Sequence, residues 1–418
     1  MTKDKPSTND KKTGLSRRQF TGAAVAGAAA LPALHPLRLA RAQAPVRVGV
    51  LLPRSGFLSA IGSACWRGAE LAPGILSDMG LAVEVVGADT ESNPDTGRTQ
   101  AERLIREGVD MLVGCFDSGT TAAVAQVAEQ NGTPFVINIA ADPAITEQGY
   151  QYVFRNFPKA PALVTSGLGS INNLFEVTGT TPQTTVFMHI NDTFGTAMSR
   201  GIQALAPRVG VPYEFLDTIS YDPQARDLSV EVARARALQP DFLMVVTRLN
   251  DAILLVRECV RQRFDTMGII SPGSPGMYEK QFADTLGPYA EYATTSVPWF
   301  NPTSPVTAEL QSRFVADYPD QTFELNPGFT FEALMICADA ASRASSTNAD
   351  DLVAALQATD IAEHPMYGGP IVFDEEGQNP NIGTVVIQIQ DGGPVVTAPT
   401  DIATAEPVFP VPSWADRG

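Results

Sequence analysis

The chain has 418 residues, 44% hydrophobic and 18% charged, with 29 Lys and Arg against 46 Asp and Glu and a formal charge of −17 at pH 7. So acidic a protein is repelled by nucleic-acid phosphates and anionic lipid, which excludes partners of either kind. With 4 cysteines and 3 histidines, and no CxxC, HExxH or acidic calcium loop, the sequence implies neither a metal centre nor a cofactor.

In chain order, SRRQF (Ser16 to Phe20) is followed by an Ala/Gly-rich run, Thr21 to Leu34, and by Ala-Arg-Ala at Ala40 to Ala42. This looks like a twin-arginine export signal over residues 1–42, cleaved before Gln43, which would place the mature protein in the periplasm. Pro32, His35 and Pro36 interrupt the run, leaving it shorter than the ~20 apolar residues of a spanning helix. Cleavage would remove eight Lys/Arg and two Asp/Glu, taking the charge from −17 to −23. The remaining 376 residues exceed what one hydrophobic core usually serves, so two domains are expected. Cys259 and Cys337 fall within apolar helical patterns and read as buried thiols. Spacing alone leaves open whether Cys65 and Cys115 approach each other.

The mature chain alternates apolar runs with amphipathic helices. VRVGVLLP (46–53), VEVVGAD (83–89), MLVGC (111–115) and FVINIA (135–140) read as parallel strands covered on both faces. Helices are expected over Ala60 to Met79, Arg98 to Glu107 and Thr120 to Gln130, making a βαβ series and a doubly wound sheet. After the linker NFPKAP (156–161) the pattern restarts with a helix to Phe175. Strands VFMHI (186–190), EFLDTIS (214–220), FLMVVT (242–247) and MGIIS (267–271) follow, with helices between. From Trp299 three helical patterns return, then strands IVFD (371–374) and TVVIQIQ (384–390), then a Pro-rich tail over 397–418 expected to lack regular structure.

Two D-[ST]-G triplets, Asp95-Thr96-Gly97 and Asp117-Ser118-Gly119, raise the possibility of an acid-protease dyad. They lie on successive βα units of one sheet, where two loops cannot face each other, which disfavours it. Asp117-Ser118-Gly119 stands instead at a strand end and helix start, where unpaired N–H groups and the helix macrodipole favour an anion. Asp95-Thr96 is expected to cap the helix beginning at Arg98.

VRVGVLLPRSGFLSAIG, WRGAELA, DTESNPDTGRTQAERLI, LVGCFDSGTTAAVAQVAEQNGTPFVI, AADPAITEQGYQYVFRNFP, NDTFGTAMSRGI and YGGPIVFDEEGQ occur in this order. The ordered set, from Val46 to about Gly392, resembles the leucine/isoleucine/valine-binding family of periplasmic solute-binding proteins, the type I clamshell receptors of ABC importers. The resemblance implies an α/β fold of two Rossmann-like lobes with ligand held between them and a three-crossing hinge. Crossings near Asn156 to Pro158, Val297 to Phe300 and Ile371 to Phe373 would assign 43–157 and 299–371 to lobe 1, and 158–298 and 372–396 to lobe 2.

Carried over by position, Ser118 matches the family serine that holds a ligand carboxylate, and the backbone of Ile139 and Ala141 matches its second anchor. At Ala141 the family commonly has threonine. Asp142 reads as an N-cap before Pro143. Ser55, Phe57 and Ile61 fall in and after the first βα loop, and the place of Ile61 is often tyrosine. Trp66 is a pocket wall or a helix-packing residue. Phe194 matches an aromatic that closes over the ligand, as does the position of Leu249. Arg248 brings a charge to the cleft or pairs, as a loop arginine, with Asp251. At Gly273 amino-acid binders carry an acid for the ligand ammonium; without it, either Asp117 substitutes or the ligand has no α-ammonium. Phe116 and Trp299, with Phe57 and Phe194, offer apolar walls.

The reading that follows is a monomeric, non-enzymatic binding protein that closes on a small carboxylate-bearing solute and delivers it to the transmembrane subunits of an ABC permease. The solute is branched-chain amino acid-like, or an aromatic or short aliphatic acid. A ligand sensor for a separate signalling partner is the alternative. A hydrolase is disfavoured, since no nucleophile and base set is evident.

Overall fold

A computed structural model describes residues 44–417; the signal-like segment 1–42 lies outside them. Elements β1 (Val46–Leu52), α1 (Ser59–Asp78), β2 (Val83–Asp89), α2 (Pro94–Arg106), β3 (Met111–Gly114), α3 (Ser118–Asn131), β4 (Phe135–Ile137) and β5 (Val153–Arg155) build the first sheet and its helices. The strand order is β2-β1-β3-β4-β5, every pair parallel. β3, β4 and β5 are buried throughout, as expected of parallel strands covered on both faces.

The second unit contains α4 (Ala160–Thr178), β6 (Thr184–Ile190), α5 (Thr193–Val209), β7 (Glu214–Tyr221), α6 (Ser229–Ala237), β8 (Phe242–Val246), α7 (Leu249–Arg261), β9 (Ile269–Ser271), α8 (Lys280–Leu286) and β10 (Thr294–Val297). Next come α9 (Pro305–Asp317), α10 (Leu325–Arg343) and α11 (Ala349–Gln357), then β11 (Val385–Gln390), β12 (Gly393–Ala398) and α12 (Trp414–Arg417). The second sheet runs β12-β11-β10-β9-β8-β6-β7, parallel except where β11 pairs antiparallel with β10 and β12. The fold is therefore an α/β two-lobe architecture with two largely parallel sheets.

The third helical section packs back on the first sheet: α10 contacts α1, β1, β3 and β4. Close approach there depends on Gly68, where an added Cβ would stand 2.0 Å from the carbonyl oxygen of Pro327. Three connecting segments pass between the lobes and are tied together by backbone bonds. Arg155 N–H donates to Gly377 O and Asn379 N–H to Arg155 O, while Asn301 N–H donates to Pro365 O and Tyr367 N–H to Trp299 O.

Several expectations are corrected. IVFD forms no strand; Ile371 makes only an isolated bridge to Ile361, because this stretch lies beside the crossings rather than in a sheet. Helix α2 begins at Pro94 and its cap is Asn93, which accepts from the N–H groups of Asp95 and Thr96, so that pair is not the cap. The C-terminal segment is not devoid of structure. β12 continues to Ala398, Phe409 packs on Phe175 at 5.1 Å, and Trp414 donates its indole N–H to Phe264 O. β5, β10 and β12 were not anticipated. All four cysteines are buried and free, and Cys65 and Cys115 lie in different apolar clusters.

Candidate functional site

In each sheet the strand order reverses once, between β1 and β3 in the first and between β6 and β8 in the second. Loops leaving the carboxyl ends of strands diverge at such points, and ligands bind in the crevice between them. The candidate residues follow β1, β3 and β4 in one lobe and β6, β8 and β9 in the other. A narrow cavity lies between them, lined by Phe116, Ser118, Ile139, Ala140, Ala141 and Phe157 of the first lobe and its hinge. Phe194, Arg248, Gly273, Pro275, Tyr278 and Val297 line it from the second lobe and its hinge, and Leu325 and Asn326 from α10. Its volume is about 30 Å³.

In the first lobe the N-terminus of α3 meets the cavity. Asp117 caps α3 by accepting from Thr120 N–H at 2.8 Å, which leaves the N–H groups of Ser118 and Gly119 in the first turn without helical acceptors. The buried Ser118 hydroxyl oxygen accepts only a long 3.4 Å bond from Asp142 N–H, so its own proton is free to donate. Phe116, just before, has φ +78°, a left-handed conformation that costs a side-chain-bearing residue energy. Its N–H donates to Asn138 Oδ1, and Asn138 donates to Thr330 Oγ1 on α10.

From the second lobe comes Arg248, 6% exposed. Its N–H donates to both oxygens of Asp251, a capping contact that fixes the loop. The side chain pairs not with Asp251 but with Asp192, at 2.9 Å, so it is neither solvated nor bonded as the loop reading supposed. Burial opposes its charge, but Asp192, with Asp117 and Asp251 nearby, outweighs that and raises its pKa. Burial pushes Asp251 up to about 7, although Tyr221 and the Arg248 N–H hold it down in part.

Seven of the twelve expected site residues meet at the cavity: Phe116, Ser118, Ile139, Ala141, Phe194, Arg248 and Gly273. Asp117 instead faces the outer mouth beside Asp142 and Asp192; one of its oxygens, Oδ2, is buried without a partner, and burial raises its pKa. Phe57 and Ile61 line an adjoining crevice with Leu249 and Arg248. Ser55 is outside the cavity, its N–H bound to Asp89. Trp299 stands behind Tyr278, edge to face at 5.6 Å. Trp66 is a packing residue, set against Gly87 and under the Arg54 guanidinium at 4.4 Å. Asp142 accepts from Ala144 N–H, as a cap does. At Gly273 φ is +144°, and a Cβ would meet Met198 Cε at 3.2 Å and Leu163 Cβ at 3.3 Å, so no acid fits there without rearrangement.

Asn326 and Tyr278 were missed. Asn326 precedes Pro327 at a helix start and reads in sequence as a capping signal, while Tyr278 lies in a loop without a motif. Arg155 was missed too: this wholly buried arginine donates to Ala140 O, Asp142 O, Thr146 Oγ1 and Gln378 Oε1, locking the anchor loop to the hinge.

The family model for periplasmic binding proteins matches residues 45–394. The chain belongs to that family. It is a binding protein of periplasmic or extracellular type, not an enzyme. Among curated relatives it is similar to Leu/Ile/Val-binding protein homolog 8 of Brucella suis biovar 1 (strain 1330), 26% identical over 404 residues that cover 92% of this chain and 98% of the relative. The fold is shared with the branched-chain amino acid transporter substrate-binding protein LivJ of Streptococcus pneumoniae in complex with isoleucine, at TM-score 0.73 and 19% identity, covering 88% of this chain and 100% of that one. It is likewise shared with a solute-binding protein of an ABC transporter from R. palustris in complex with benzoate, at TM-score 0.71 and 19% identity, covering 88% and 97%.

Proposed function

We propose that this family member is the solute receptor of an ABC importer, exported through a twin-arginine signal in residues 1–42. It would work as a monomer that closes on a small carboxylate-bearing solute and presents it to permease transmembrane subunits. Residues 43–157 and 299–371 form lobe 1 in this reading. Residues 158–298 and 372–396 form lobe 2, together with the packed C-terminal segment. The carboxylate binds the Ser118 hydroxyl and the first-turn N–H groups of α3, with the backbone of Ile139 and Ala141 as second anchor. Phe116 and Phe194 wall the apolar body and Arg248, set against both rings, completes the cradle from lobe 2. Ser55, Phe57, Ile61, Asp117 and Trp299 border the cleft rather than the ligand.

The observation that carries this reading is the cavity itself: apolar walls, a helix N-terminus with a free serine hydroxyl, an opposing arginine, and a glycine where an acid would meet an ammonium group. An acid without an α-ammonium fits better than leucine, isoleucine or valine, since a buried ammonium lacking a partner costs several kcal/mol. The name of the Brucella relative and the isoleucine in the Streptococcus protein favour a branched-chain amino acid as second reading. A thermal-shift panel of branched-chain amino acids, benzoate-like acids, short aliphatic acids and amides at equal concentration separates the two. Stabilisation by the acids is expected. Stabilisation by leucine or valine alone would reject the acid preference, and no response to any carboxylate would reject the receptor reading.

A further inference from the structure

Asn326 is 0% exposed and lines the cavity, yet neither Nδ2 nor Oδ1 of its amide has a hydrogen-bond partner. Its backbone N–H is used, donating to Glu324 Oε2 at 2.8 Å. The Tyr278 hydroxyl and the Glu324 carboxyl stand near the amide, but neither is in bonding geometry with it. A buried amide normally finds partners for donor and acceptor alike, and one left without either in a binding cavity marks where a ligand group belongs. Tyr278 lines the same stretch of wall.

The charge around this pair narrows the group. Glu324 and Glu279 are both buried beside Tyr278, and Glu279 Oε1 also lacks a partner. The carboxylate of the ligand is met on a different helix, α3, so this end of the cavity faces the rest of the solute. Leu325, Phe157, Val297 and Pro275 supply the apolar contact between the two polar places.

Resting on the receptor reading above, we propose that Asn326, with Tyr278, selects an acid bearing a neutral hydroxyl group on its apolar body, away from the carboxylate. A hydroxyl accepts from Asn326 Nδ2 and donates to Oδ1, using both unpartnered atoms at once. A plain benzoate-like or alkanoic acid leaves them unpaired, the kind of mismatch by which a polar site rejects an analogue lacking the group.

The test is titration calorimetry on the full mature protein with 4-hydroxybenzoate against benzoate, and a hydroxylated short aliphatic acid against its parent. The two pairs distinguish an aromatic from an aliphatic body. Wild type is expected to bind one hydroxylated acid at least tenfold tighter than its parent. Asn326→Leu should abolish or invert that preference, with an unliganded melting temperature no lower than wild type. Tyr278→Phe should reduce the preference in the same direction, and carries the test if Asn326→Leu does not fold. Equal binding within both pairs, or a preference that survives Asn326→Leu, overturns the inference while the receptor reading stands. Failure of every acid, hydroxylated or not, overturns the receptor reading and the inference together.

Discussion

Arg248 holds Asp192 at 2.9 Å within the second lobe while its guanidinium lies 4.5 Å from the Phe194 ring and 5.2 Å from the ring of Phe116 in the first. The contact with Phe116 crosses from one lobe to the other, as does the bond from Asn250 Nδ2 to Phe57 O at 3.2 Å. In the proposed hinge closure these protein contacts would add to those of a ligand touching both lobes. Arg248→Met should lower affinity for a bound carboxylate by roughly ten- to a hundredfold, from the loss of a charge-assisted bond. Asp192 keeps a partner, because it also caps α5 through Gly195 N–H at 2.7 Å, so the fold should persist. Calorimetry gives the affinity, and small-angle scattering should show wild type compacting on saturation; unchanged affinity would rule out an anion contact for Arg248.

Ser118→Ala should weaken carboxylate binding by about 1–3 kcal/mol, the range for a hydrogen bond to a charged group. The hydroxyl receives only the 3.4 Å contact from Asp142 N–H, so its removal should leave the melting temperature nearly unchanged. Asp117→Asn should cost less affinity, since Asp117 borders the outer mouth. If Asp117→Asn abolished binding and Ser118→Ala did not, the site would hold a cation.

The sheets were legible because parallel strands buried on both faces are apolar throughout, as in MLVG of β3 and FLMVV of β8. Ser118 was legible because its motif stands between a strand end and a helix start, whereas Gly273 came from the family resemblance alone. Asn326 was not: its role comes from α10 returning to the first lobe, a contact between distant chain segments that no local pattern encodes. Trp299 shows the converse, an aromatic with the right chemistry that packs behind Tyr278 instead of reaching the cavity. The Pro-rich tail misled because its composition favours disorder, while Phe409 and Trp414 supply enough apolar surface to hold it down.

Unfolding free energy should fall as pH rises from about 4.5 to 7. Burial raises Glu324 from 4.5 to about 7 and lifts Glu279 well above the carboxylate range, with Glu324 adding to the latter. The folded state thus binds more protons than the unfolded chain across this interval, so stability is fullest below the unfolded pKa and lost as pH rises through the folded one. Glu324 alone contributes roughly 3 kcal/mol over the window. Denaturant unfolding at pH 5 and pH 7.5 should show the drop, and Glu324→Gln should flatten it. A stability that rose over this range would contradict the burial of these carboxyls.

Arg155 joins the hinge to the anchor loop. From the end of β5 its guanidinium donates to Ala140 O at 3.0 Å and Asp142 O at 2.7 Å, flanking Ala141, and to Gln378 Oε1 at 2.8 Å on the strand-crossing segment. Burial lowers its pKa to about 10, with Asp142 and Glu147 opposing, so it stays charged at neutral pH. Arg155→Met would strand at least three buried acceptors, each worth about 1–3 kcal/mol, and should destabilise the protein severely. Arg155→Lys keeps the charge but not the planar fork, so it can satisfy the loop or Gln378 but not both. The lysine variant should remain folded yet bind a carboxylate at least several-fold more weakly, because the Ala141 anchor is no longer registered against the hinge. Affinity measured alongside denaturant stability separates these effects. If Arg155→Lys bound as wild type does, Arg155 would be holding up the lobe without positioning the ligand loop.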